Sequence, residues 1–582
     1  MAQDTALDLA QKVVKLWSEG TEADFAAVYP FQPAREVVAA SIKEKIARKG
    51  GLAKVVQENG SSAVLVLSGL TPAFNSGDDT WWTHSFSGIY RAQLSDGRWK
   101  LTETIPLGAV AKIQAHHLKV SIRPAFGLTV EDRIQVTSSE KLGFAARLNH
   151  AAKIESVRAG TRELPYAFGG GLLWVDVPVG QSEFTLKYSL EVDEGPNNSN
   201  SGAFLRKAGH VRGQYFWHPF FDFTRNGDDA DFEIELRIPR EYQATTSLAQ
   251  SERLEGAERV IAAKTTRPAS ELTLVYDRAW EVKTAQVEKV HLDLFVTPQF
   301  QPDAKAIEDE FRSVYGLLSQ RFGAPESGYF GVVEARSKEG NGWHFAANQI
   351  VVAAGWPQVF SIRGNRPHAS LGHEIAHLWT DGAGPAANFL REGWATYAET
   401  FTLEKEYGAA AVRAFWKYQS DDYFRQFDGK AAIVHDDSNS GIAYPKGSWI
   451  FRMLEDALGT PAFQKTITEF SRRSLAHAGG GWELLAECAQ HNAPADFDAN
   501  AFLRPWVEEK SAPRLTAQAD GSKVTVRQEA PFFSIPVTIE ASTTSGTERK
   551  RVWIKGAETA VEFSSAVASP RIDPDGLLLV RK

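Results

Sequence analysis

Hydrophobic residues recur with two different periods in the first 110 residues. Across residues 7–17 they return every three or four positions, which predicts an amphipathic helix. Two alternating stretches, 86–92 and 99–104, flank an Asp-Gly turn sequence at 95–97. An Asp-Gly pair between alternating stretches indicates a β-hairpin. We therefore expect a small α+β domain over residues 1–110, whose role the pattern does not reveal.

Short alternating stretches dominate from residue 111 to residue 283. Apolar and polar residues alternate in several of them, as expected of strands with one buried face: 118–122, 133–136, 184–188 and 232–238. Turn-forming residues separate these stretches, among them the three glycines at 169–171. We therefore expect a β-rich domain over 111–283, built as a twisted multi-stranded sheet or as a sandwich.

The pattern becomes mixed between residues 284 and 511. A strand-like stretch precedes a helical stripe at 303–321, and long helical stretches follow two further short strands. Strand patterns return over 512–582, where a turn at 573–576 precedes a last apolar stretch, 577–580. The chain therefore predicts a multidomain α+β fold, with divisions near residues 110, 283 and 511.

Composition narrows the function classes. The chain has 582 residues, which at roughly 100 to 200 residues per domain corresponds to three to five domains. A net charge of -8 disfavours a general nucleic-acid binder, because such proteins neutralise phosphates with basic surfaces. No apolar stretch approaches the roughly 18 residues of a transmembrane helix. The single cysteine, Cys488, excludes an internal disulfide and a thiolate zinc site, so histidine and carboxylate would have to hold any metal.

A pair of histidines marks the candidate chemistry. Residues 373–377 read HEIAH, and two histidines four positions apart on a helix project from the same face. That spacing lets His373 and His377 bind one Zn²⁺, while Glu374 can act as general base. Glu392 is the natural third ligand, because a second helix is predicted to begin just before it. The alternative is that this short motif arose by chance on a core or surface helix.

The chemistry follows from those groups. Zinc lowers the pKa of a bound water, and Glu374 would take its proton as the water attacks a carbonyl. The oxyanion that develops needs a further partner, either a phenol or an imidazole. Thr396 and Glu399 share the predicted helix face of Glu392. They are either partners that orient the ligands or polar residues near solvent.

These motifs resemble the zinc aminopeptidases of the aminopeptidase N and leukotriene hydrolase group, the gluzincins. HEIAHLW followed by LREGWATYAE is similar to that family's HExxHxW and third-ligand stretches, and AYPKGS is similar to its Tyr-Glu-Lys-Gly helix. The resemblance covers roughly residues 111–582 in family order, with residues 1–110 outside it. It implies a β-rich domain over 111–283, a thermolysin-like catalytic domain over 284–511 and a small β-sandwich over 512–582.

The resemblance also implies roles for individual residues. His373, His377 and Glu392 would bind one Zn²⁺ per chain, and Glu374 would be the general base for hydrolysis of a peptide substrate. Tyr444 would stabilise the oxyanion, because it occupies the position of the family's catalytic tyrosine. The alternative for Tyr444 is a buried core aromatic.

The chain also departs from the family pattern. Ala347 stands where the family has the glutamate that binds the substrate's amine, and Pro445 replaces the glutamate after the catalytic tyrosine. The spacing from His377 to Glu392 is shorter, and the sequence leaves no room for the large C-terminal helical domain. Three acids are candidates for a replacement anchor, or are simply surface or turn acids: Asp222, Glu334 and Glu339.

Three functional readings therefore remain open. The first is an aminopeptidase with another amine anchor. The second is an endopeptidase or a peptidase of altered specificity, and the third is a catalytically silent binding protein on the same fold. The N-terminus lacks a basic and apolar signal segment, and Ala-Gln-Asp at 2–4 is a plausible start after signal-peptidase cleavage. We therefore expect a periplasmic or secreted protein, with a cytoplasmic one as the alternative. No feature indicates an oligomeric state.

Overall fold

The computed structural model describes residues 5–581 except for these positions: 33, 44, 46, 75–79, 85, 192–201, 222–228, 270, 301–303, 326, 338–342, 346–348, 354–369, 381, 383, 385, 436–440 and 477–479. The chain forms two compact units. The first unit comprises Met1–Gln286, His291–Phe300 and Tyr329–Trp356. The second comprises Val287–Val290, Gln301–Gly328 and Pro357–Lys582.

The first unit begins with three helices and an antiparallel sheet. The helices are α1 (Ala6–Glu19), α2 (Glu22–Ala26) and α3 (Ala34–Lys43). The strands are β1 (Lys49–Asn59), β2 (Ser62–Phe74), β3 (Thr80–His84), β4 (Gly88–Ser95) and β5 (Arg98–Ile105). The order is β1-β2-β4-β5, and β3 pairs with β2. The predicted hairpin is confirmed, because Ser95 pairs with Arg98 across Asp96 and Gly97, which both have positive φ.

Strand β2 belongs to two hydrophobic cores. Ala63, Leu65 and Leu67 are buried in a core formed with α1, α2 and α3. Val64 and Val66 point to the other face, where they join the core of the β-rich region that follows. Side chains alternate between the two faces of a strand, so one strand can serve two cores.

A short helix, α4 (Leu107–Val110), leads into a β-rich region whose described residues form fifteen strands. They are β6 (Ala111–Arg123), β7 (Gly127–Ser138), β8 (Phe144–Arg147), β9 (Ala152–Ala159), β10 (Arg162–Glu163), β11 (Tyr166–Gly169), β12 (Leu172–Val175), β13 (Gly180–Glu191), β14 (Gly202–Phe204), β15 (Ala208–Val211), β16 (Asp231–Pro239), β17 (Gln243–Thr245), β18 (Gln250–Glu255), β19 (Glu258–Lys264) and β20 (Leu274–Asp277).

These strands form three sheets. The largest has eight strands in the order β10-β9-β13-β7-β6-β16-β19-β18, with β6 and β16 parallel. The others have the orders β11-β12-β8 and β14-β15-β20-β17. Alternating burial along β7 and β13 shows one face of the large sheet in the core, as the alternation in sequence predicted.

A mixed five-stranded sheet follows. Its strands are β21 (Glu281–Val287), β22 (Val290–Val296), β23 (Tyr329–Ala335), β24 (Trp343–Phe345) and β25 (Gln349–Ala353), in the order β21-β22-β23-β25-β24. The central pairs, β22 with β23 and β23 with β25, are parallel. Every residue of β23 is buried, which explains the apolar residues at 329–333 that precede Glu334.

Helices dominate the second unit up to residue 508. They are α5 (Ala304–Phe322), α6 (Ser370–Ala376), α7 (Trp394–Gln426), α8 (Ser448–Leu458), α9 (Thr460–Ala476), α10 (Trp482–Asn492) and α11 (Ala499–Glu508). A π-helical turn precedes α7 at Phe389–Gly393, and another precedes α8 at Ala443–Gly447. Gly408 breaks α7 with a φ of 75°, and its two halves fold back so that Tyr397 contacts Trp416.

The second unit ends in two three-stranded sheets. The strands are β26 (Leu515–Asp520), β27 (Lys523–Gln528), β28 (Ile535–Thr543), β29 (Gly546–Ile554), β30 (Glu558–Glu562) and β31 (Val567–Ile572). The orders are β26-β27-β30 and β29-β28-β31. The last apolar stretch, 577–580, is irregular, and Leu578 and Leu579 are buried there.

The multidomain α+β fold class is confirmed, with β-rich and helical regions in the predicted places. The division at residues 110, 283 and 511 stays a prediction. Among the described residues, no helix combines the length and apolar character that a bilayer crossing requires.

The two-sided burial of β2 can be tested by charging each face. We expect Leu65→Asp and Val66→Asp each to lower the free energy of unfolding by about 3 kcal/mol or more, because each buries an unpaired carboxylate in a different core. The control Thr104→Asp, exposed on β5, should cost under about 1 kcal/mol. Denaturant unfolding measures all three. A tolerated Val66→Asp would show that the outer face of β2 carries no core.

Candidate metal centre

Helix α6 and the turn after it carry the two histidines. The predicted single helix ends at Ala376, and His377 is the first residue of a tight turn. Trp379 closes this turn by donating from its backbone N–H to the Ala376 carbonyl at 3.0 Å. Its fully buried indole N–H donates to the Gly323 carbonyl at 2.7 Å. Burial of Trp379 therefore fixes the histidine segment against the end of α5.

The structure brings the three predicted ligands together. One side-chain donor atom each from His373, His377 and Glu392 lies within 4.8 Å of the other two. Glu392 Oε2 is 3.2 Å from His373 Nε2 and 3.8 Å from His377 Nε2. Two imidazoles and one carboxylate are the donor set of many catalytic zinc sites, in which a fourth position stays open. These residues therefore fit a zinc ion.

Glu392 is held by the π-helical turn that precedes α7. Phe389, Leu390 and Trp394 around it are fully buried, which leaves Glu392 as the residue of the turn that faces the histidines. Two hydrogen bonds tie the turn to the histidine segment. The Trp394 indole donates to the Ala376 carbonyl at 2.9 Å, and the Thr380 hydroxyl donates to the Leu390 carbonyl at 2.9 Å.

Glu399 orients the first histidine. Its carboxylate oxygen lies 2.8 Å from His373 Nδ1, and the residue is only 1% exposed. A carboxylate on Nδ1 leaves Nε2 to face the cluster, as the second partner of a zinc-bound histidine does. Thr396, the other residue considered for this task, is buried, and its hydroxyl finds no hydrogen-bond partner within the described part of the chain. Of the two alternatives, orientation by Glu399 is the one the structure shows.

The surrounding charges favour a cation at this place. Burial alone would lower the pKa of His373, but hydrogen bonds to Glu392 and Glu399 raise it well above its usual value. Burial would raise the pKa of Glu392, and the neighbouring His377 and His373 lower it to about 2. A carboxylate that stays ionised between two imidazoles stabilises positive charge, either as protons on the rings or as a metal.

Tyr444 lies beside the ligands and is not a core residue. Its ring stacks on His373 with the centroids 6.0 Å apart and the planes at 13°. Its hydroxyl lies close enough to the Glu392 carboxylate to help lower the pKa of that group, beside His377 and His373. The side chain is 42% exposed, so the alternative of a buried core aromatic is wrong. A phenol that is exposed to solvent and contacts a metal-ligand residue can reach a molecule bound at the metal centre.

Two glycines hold the π-helical turns together. A Cβ added to Gly393 would lie 2.8 Å from Gly447 Cα, and one added to Gly447 would lie 2.9 Å from Gly393 Cα. Neither side has room for a methyl group, so the turns that carry Glu392 and Tyr444 meet backbone to backbone. This contact was not predicted from the sequence. Its only signal is that both turns end in glycine, as REG and PKG.

Lys446 anchors the Tyr444 turn from behind. It is fully buried, and its Nζ donates to the Glu509 carbonyl at 2.6 Å, just past the end of α11. Burial lowers the pKa of Lys446 to about 7, although Asp428 and Glu509 oppose the shift. From the sequence, Lys446 was noted only as part of the AYPKGS motif, and its anchoring role was not predicted.

Of the remaining predicted residues, Glu374 lies on α6 directly after His373 and is partly buried. Glu334, a candidate amine anchor, is buried in β23, and its carboxylate accepts the Thr297 N–H at 2.6 Å. That bond gives Glu334 a structural task in the first unit. The other two candidate anchors and the Ala347 position lie outside the described residues.

The structure of an M1 zinc metallopeptidase mutant from Deinococcus radiodurans is similar to this chain. It matches with a TM-score of 0.57 and 18% identity, over 69% of this chain and 96% of that one. The identity is low, so this likeness establishes the fold alone.

No protein-family model matches the chain, but curated aminopeptidases match part of it. Aminopeptidase N of Streptomyces lividans is 25% identical over 193 residues, which is 28% of this chain and 21% of that protein. Probable aminopeptidase 1 of Sulfurisphaera tokodaii is 19% identical over 243 residues, 35% of this chain and 28% of that protein. Endoplasmic reticulum aminopeptidase 2 of Homo sapiens is 23% identical over 206 residues, 27% and 20% of the two.

The chain thus spans less than a third of the length of the curated relatives that it matches. Within that span, the resemblance to aminopeptidase N-type metallopeptidases is confirmed.

The contact between Glu399 and His373 predicts a role in metal affinity. Replacing Glu399 with Gln keeps a hydrogen-bond acceptor but removes the charge that holds the ring. We expect zinc affinity to fall by about 10- to 100-fold, measured by competition with a chelator. Glu404→Gln, an exposed residue of the same helix, is the control and should leave affinity unchanged. Equal affinities in the two variants would contradict the role.

The contact between the π-helical turns predicts a steric effect. Gly447→Ala places a methyl group against Gly393, so we expect the free energy of unfolding to fall by about 1–3 kcal/mol. Gly316→Ala on α5 is the control, because its Cβ would meet nothing within 4 Å and alanine favours helix. Denaturant unfolding compares them. If both variants are equally stable, the turns can separate without cost.

Proposed function

We propose that this protein is a zinc-dependent metallopeptidase and a divergent member of the M1 zinc metallopeptidases. One observation carries the proposal. His373, His377 and Glu392 converge on one point with Glu399 behind the first histidine, in a chain with the fold of an M1 zinc metallopeptidase. Bound zinc would lower the pKa of a coordinated water and polarise a carbonyl oxygen.

The chain's own residues supply the remaining chemistry in this proposal. Glu374 follows the first ligand on α6, where its carboxylate would accept a proton from the attacking water. The same group would then deliver that proton to the departing amine. Glu399 would keep His373 in one tautomer and orientation throughout.

Tyr444 would stabilise the oxyanion. Its hydroxyl lies near the Glu392 carboxylate and the side chain is partly exposed, so it would be able to donate to a substrate oxygen at the metal centre. A fixed donor aimed at developing charge is worth about 10²–10³ in rate in other enzymes. The buried Lys446 and the glycine contact would hold this donor in place.

A peptide is the proposed substrate, because the curated relatives are named aminopeptidases. Whether the chain trims N-termini or cuts internally depends on an amine anchor. Ala347 leaves the family position without a carboxylate, and Glu334 is already bound to a backbone N–H. An ammonium group needs a carboxylate partner to leave water, which favours altered specificity or internal cleavage as the second candidate. A silent binding protein is less well supported, because all five ligand and catalytic residues are present. The periplasmic or secreted location stays a prediction.

The roles of Glu374 and Tyr444 are separable by mutation. We expect Glu374→Gln to lower kcat for peptide hydrolysis by at least about 10²–10⁴-fold with zinc retained. Tyr444→Phe should lower kcat by about 10²–10³-fold with little change in KM. Zinc content by elemental analysis is the control for both. A Glu374→Gln protein with full zinc and undiminished hydrolysis would remove the general base from the proposal.

Cleavage position decides between exopeptidase and endopeptidase. Zinc-loaded protein is incubated with matched peptide libraries, free or acetylated at the N-terminus, and products are mapped by mass spectrometry with Glu374→Gln as the blank. We expect cuts inside acetylated peptides, because the family's amine-binding glutamate is absent. Removal of single residues from free peptides alone would indicate a rebuilt anchor. Absence of any cleavage by the zinc-loaded protein would favour the silent binding protein.

A further inference from the structure

The segment between α11 and β26 is bound by two distant parts of the chain. This segment, residues 509–514, lies in the same unit as the metal centre. The Lys446 ammonium group donates to the Glu509 carbonyl at 2.6 Å, and the Gly429 N–H donates to the Lys510 carbonyl at 2.9 Å. The segment therefore joins the π-helical turn before α8 to the turn that follows α7.

Asp428, in the turn after α7, completes this junction. Its Oδ1 accepts the Ala512 N–H at 3.0 Å and the Tyr423 hydroxyl at 3.1 Å, and its Oδ2 accepts Nε of Arg581 at 2.7 Å. The Asp428 side chain is 12% exposed. A largely buried carboxylate with three donors, one of them charged, is held more firmly than one partner of a surface ion pair.

Asp428 also provides counter-charge for the buried Lys446. Burial lowers the pKa of Lys446, and of the two carboxylates that oppose this shift, Asp428 acts more strongly than Glu509. A buried ammonium group is costly unless an opposite charge lies near it. The position of the Asp428 carboxylate therefore affects where the Lys446 side chain can lie, and Arg581 holds that carboxylate.

Lys446 belongs to the same turn as the proposed oxyanion donor. It lies two residues after Tyr444 within the π-helical turn Ala443–Gly447. A displacement of the Lys446 ammonium group would pull on this turn, since the side chain is fully buried and bound at its end. A path of contacts thus leads from Arg581 through Asp428 to the Tyr444 turn.

We infer that Arg581 and Asp428 are positioning residues for Tyr444 and act on it through Lys446. Residues beyond the last strand would in this way hold a side chain beside the metal centre. The effect on reaction rate rests on the proposed function of Tyr444. The effect on the stability of the turn does not.

Hydrogen exchange measured by mass spectrometry tests the stability of the turn and needs no activity. In zinc-loaded protein, we expect Arg581→Ala to speed exchange of the amides at 444–448 by about tenfold, because the turn opens more often. Arg551→Ala is the matched control. Arg551 donates to the Asp456 carboxylate at 3.0 and 2.8 Å, so it ties β29 to α8 at another place. Equal exchange in the two variants overturns the inference.

Steady-state kinetics tests the effect on rate. Arg581→Ala should lower kcat for peptide hydrolysis by about three- to tenfold with KM and zinc content unchanged, since Tyr444 acts on the transition state. Arg581→Lys keeps the charge and should restore most of the rate. Adding Arg581→Ala to Tyr444→Phe should lower kcat no further, because both changes act on one group. An undiminished kcat in Arg581→Ala, or the same additional loss in the Tyr444→Phe background, overturns the inference.

Failure of the inference and failure of the proposed function give different results. A wild-type protein that hydrolyses no peptide, or a Tyr444→Phe variant with undiminished kcat, contradicts the proposed function. The exchange experiment still decides whether Arg581 holds the turn. Thermal unfolding checks that each variant is folded. Asp428→Asn, which keeps an acceptor oxygen but removes the charge, replaces Arg581→Ala if that variant is unfolded, with the same expected and contradicting results.

Discussion

The backbone contact between Gly393 and Gly447 is the constraint on which the metal centre depends. Glu392 and Tyr444 come from two π-helical turns that are far apart in sequence, Phe389–Gly393 and Ala443–Gly447, yet Tyr444 lies close enough to Glu392 to help lower the pKa of its carboxyl. Only a residue without Cβ on both sides lets the turns approach this closely. A π-helical turn also widens the helix locally and redirects its side chains, and such turns are frequent at functional sites. The contact therefore converts two ordinary helix starts into one site.

Buried hydrogen bonds then remove the remaining freedom of the ligands. The indole N–H of Trp379 donates to the Gly323 carbonyl, and that of Trp394 donates to the Ala376 carbonyl. These two hydrogen bonds fix the histidine segment. Glu399 holds one ring, and Lys446 holds the Tyr444 turn from the opposite side. All four of these residues are buried, and a buried hydrogen bond is stronger and its loss more costly than in water. Large aromatic side chains in the core therefore hold the metal ligands in position.

Much of the site could be predicted from sequence because its signals are local or familiar. The spacing of His373 and His377 reports one helical turn, and Glu392 opens the next helix. Glu399 was predicted only as one of two alternatives, since periodicity places Thr396 on the same face and cannot tell which side chain reaches a ring. The contact between Gly393 and Gly447 depends on residues far apart in sequence, and no local pattern predicts it.

The fold shows the same division. Alternating runs identified the strands of the β-rich region, where one face is buried and the other wet. The apolar segment at 577–580 is irregular and has buried leucines, so an apolar stretch alone does not identify a strand. Periodicity cannot separate a strand that faces one core from a strand that joins two, so the double role of β2 was not foreseen.

That double role ties the first 110 residues to the rest of their unit in evolutionary terms. A substitution at Leu65 must be matched by the opening helices, whereas one at the adjacent Val66 must be matched by the β-rich region. Neighbouring positions of β2 are therefore constrained by the packing of two different cores. A segment bound in this way cannot be exchanged as an independent module, and its divergence has to keep pace with that of the sheet beside it.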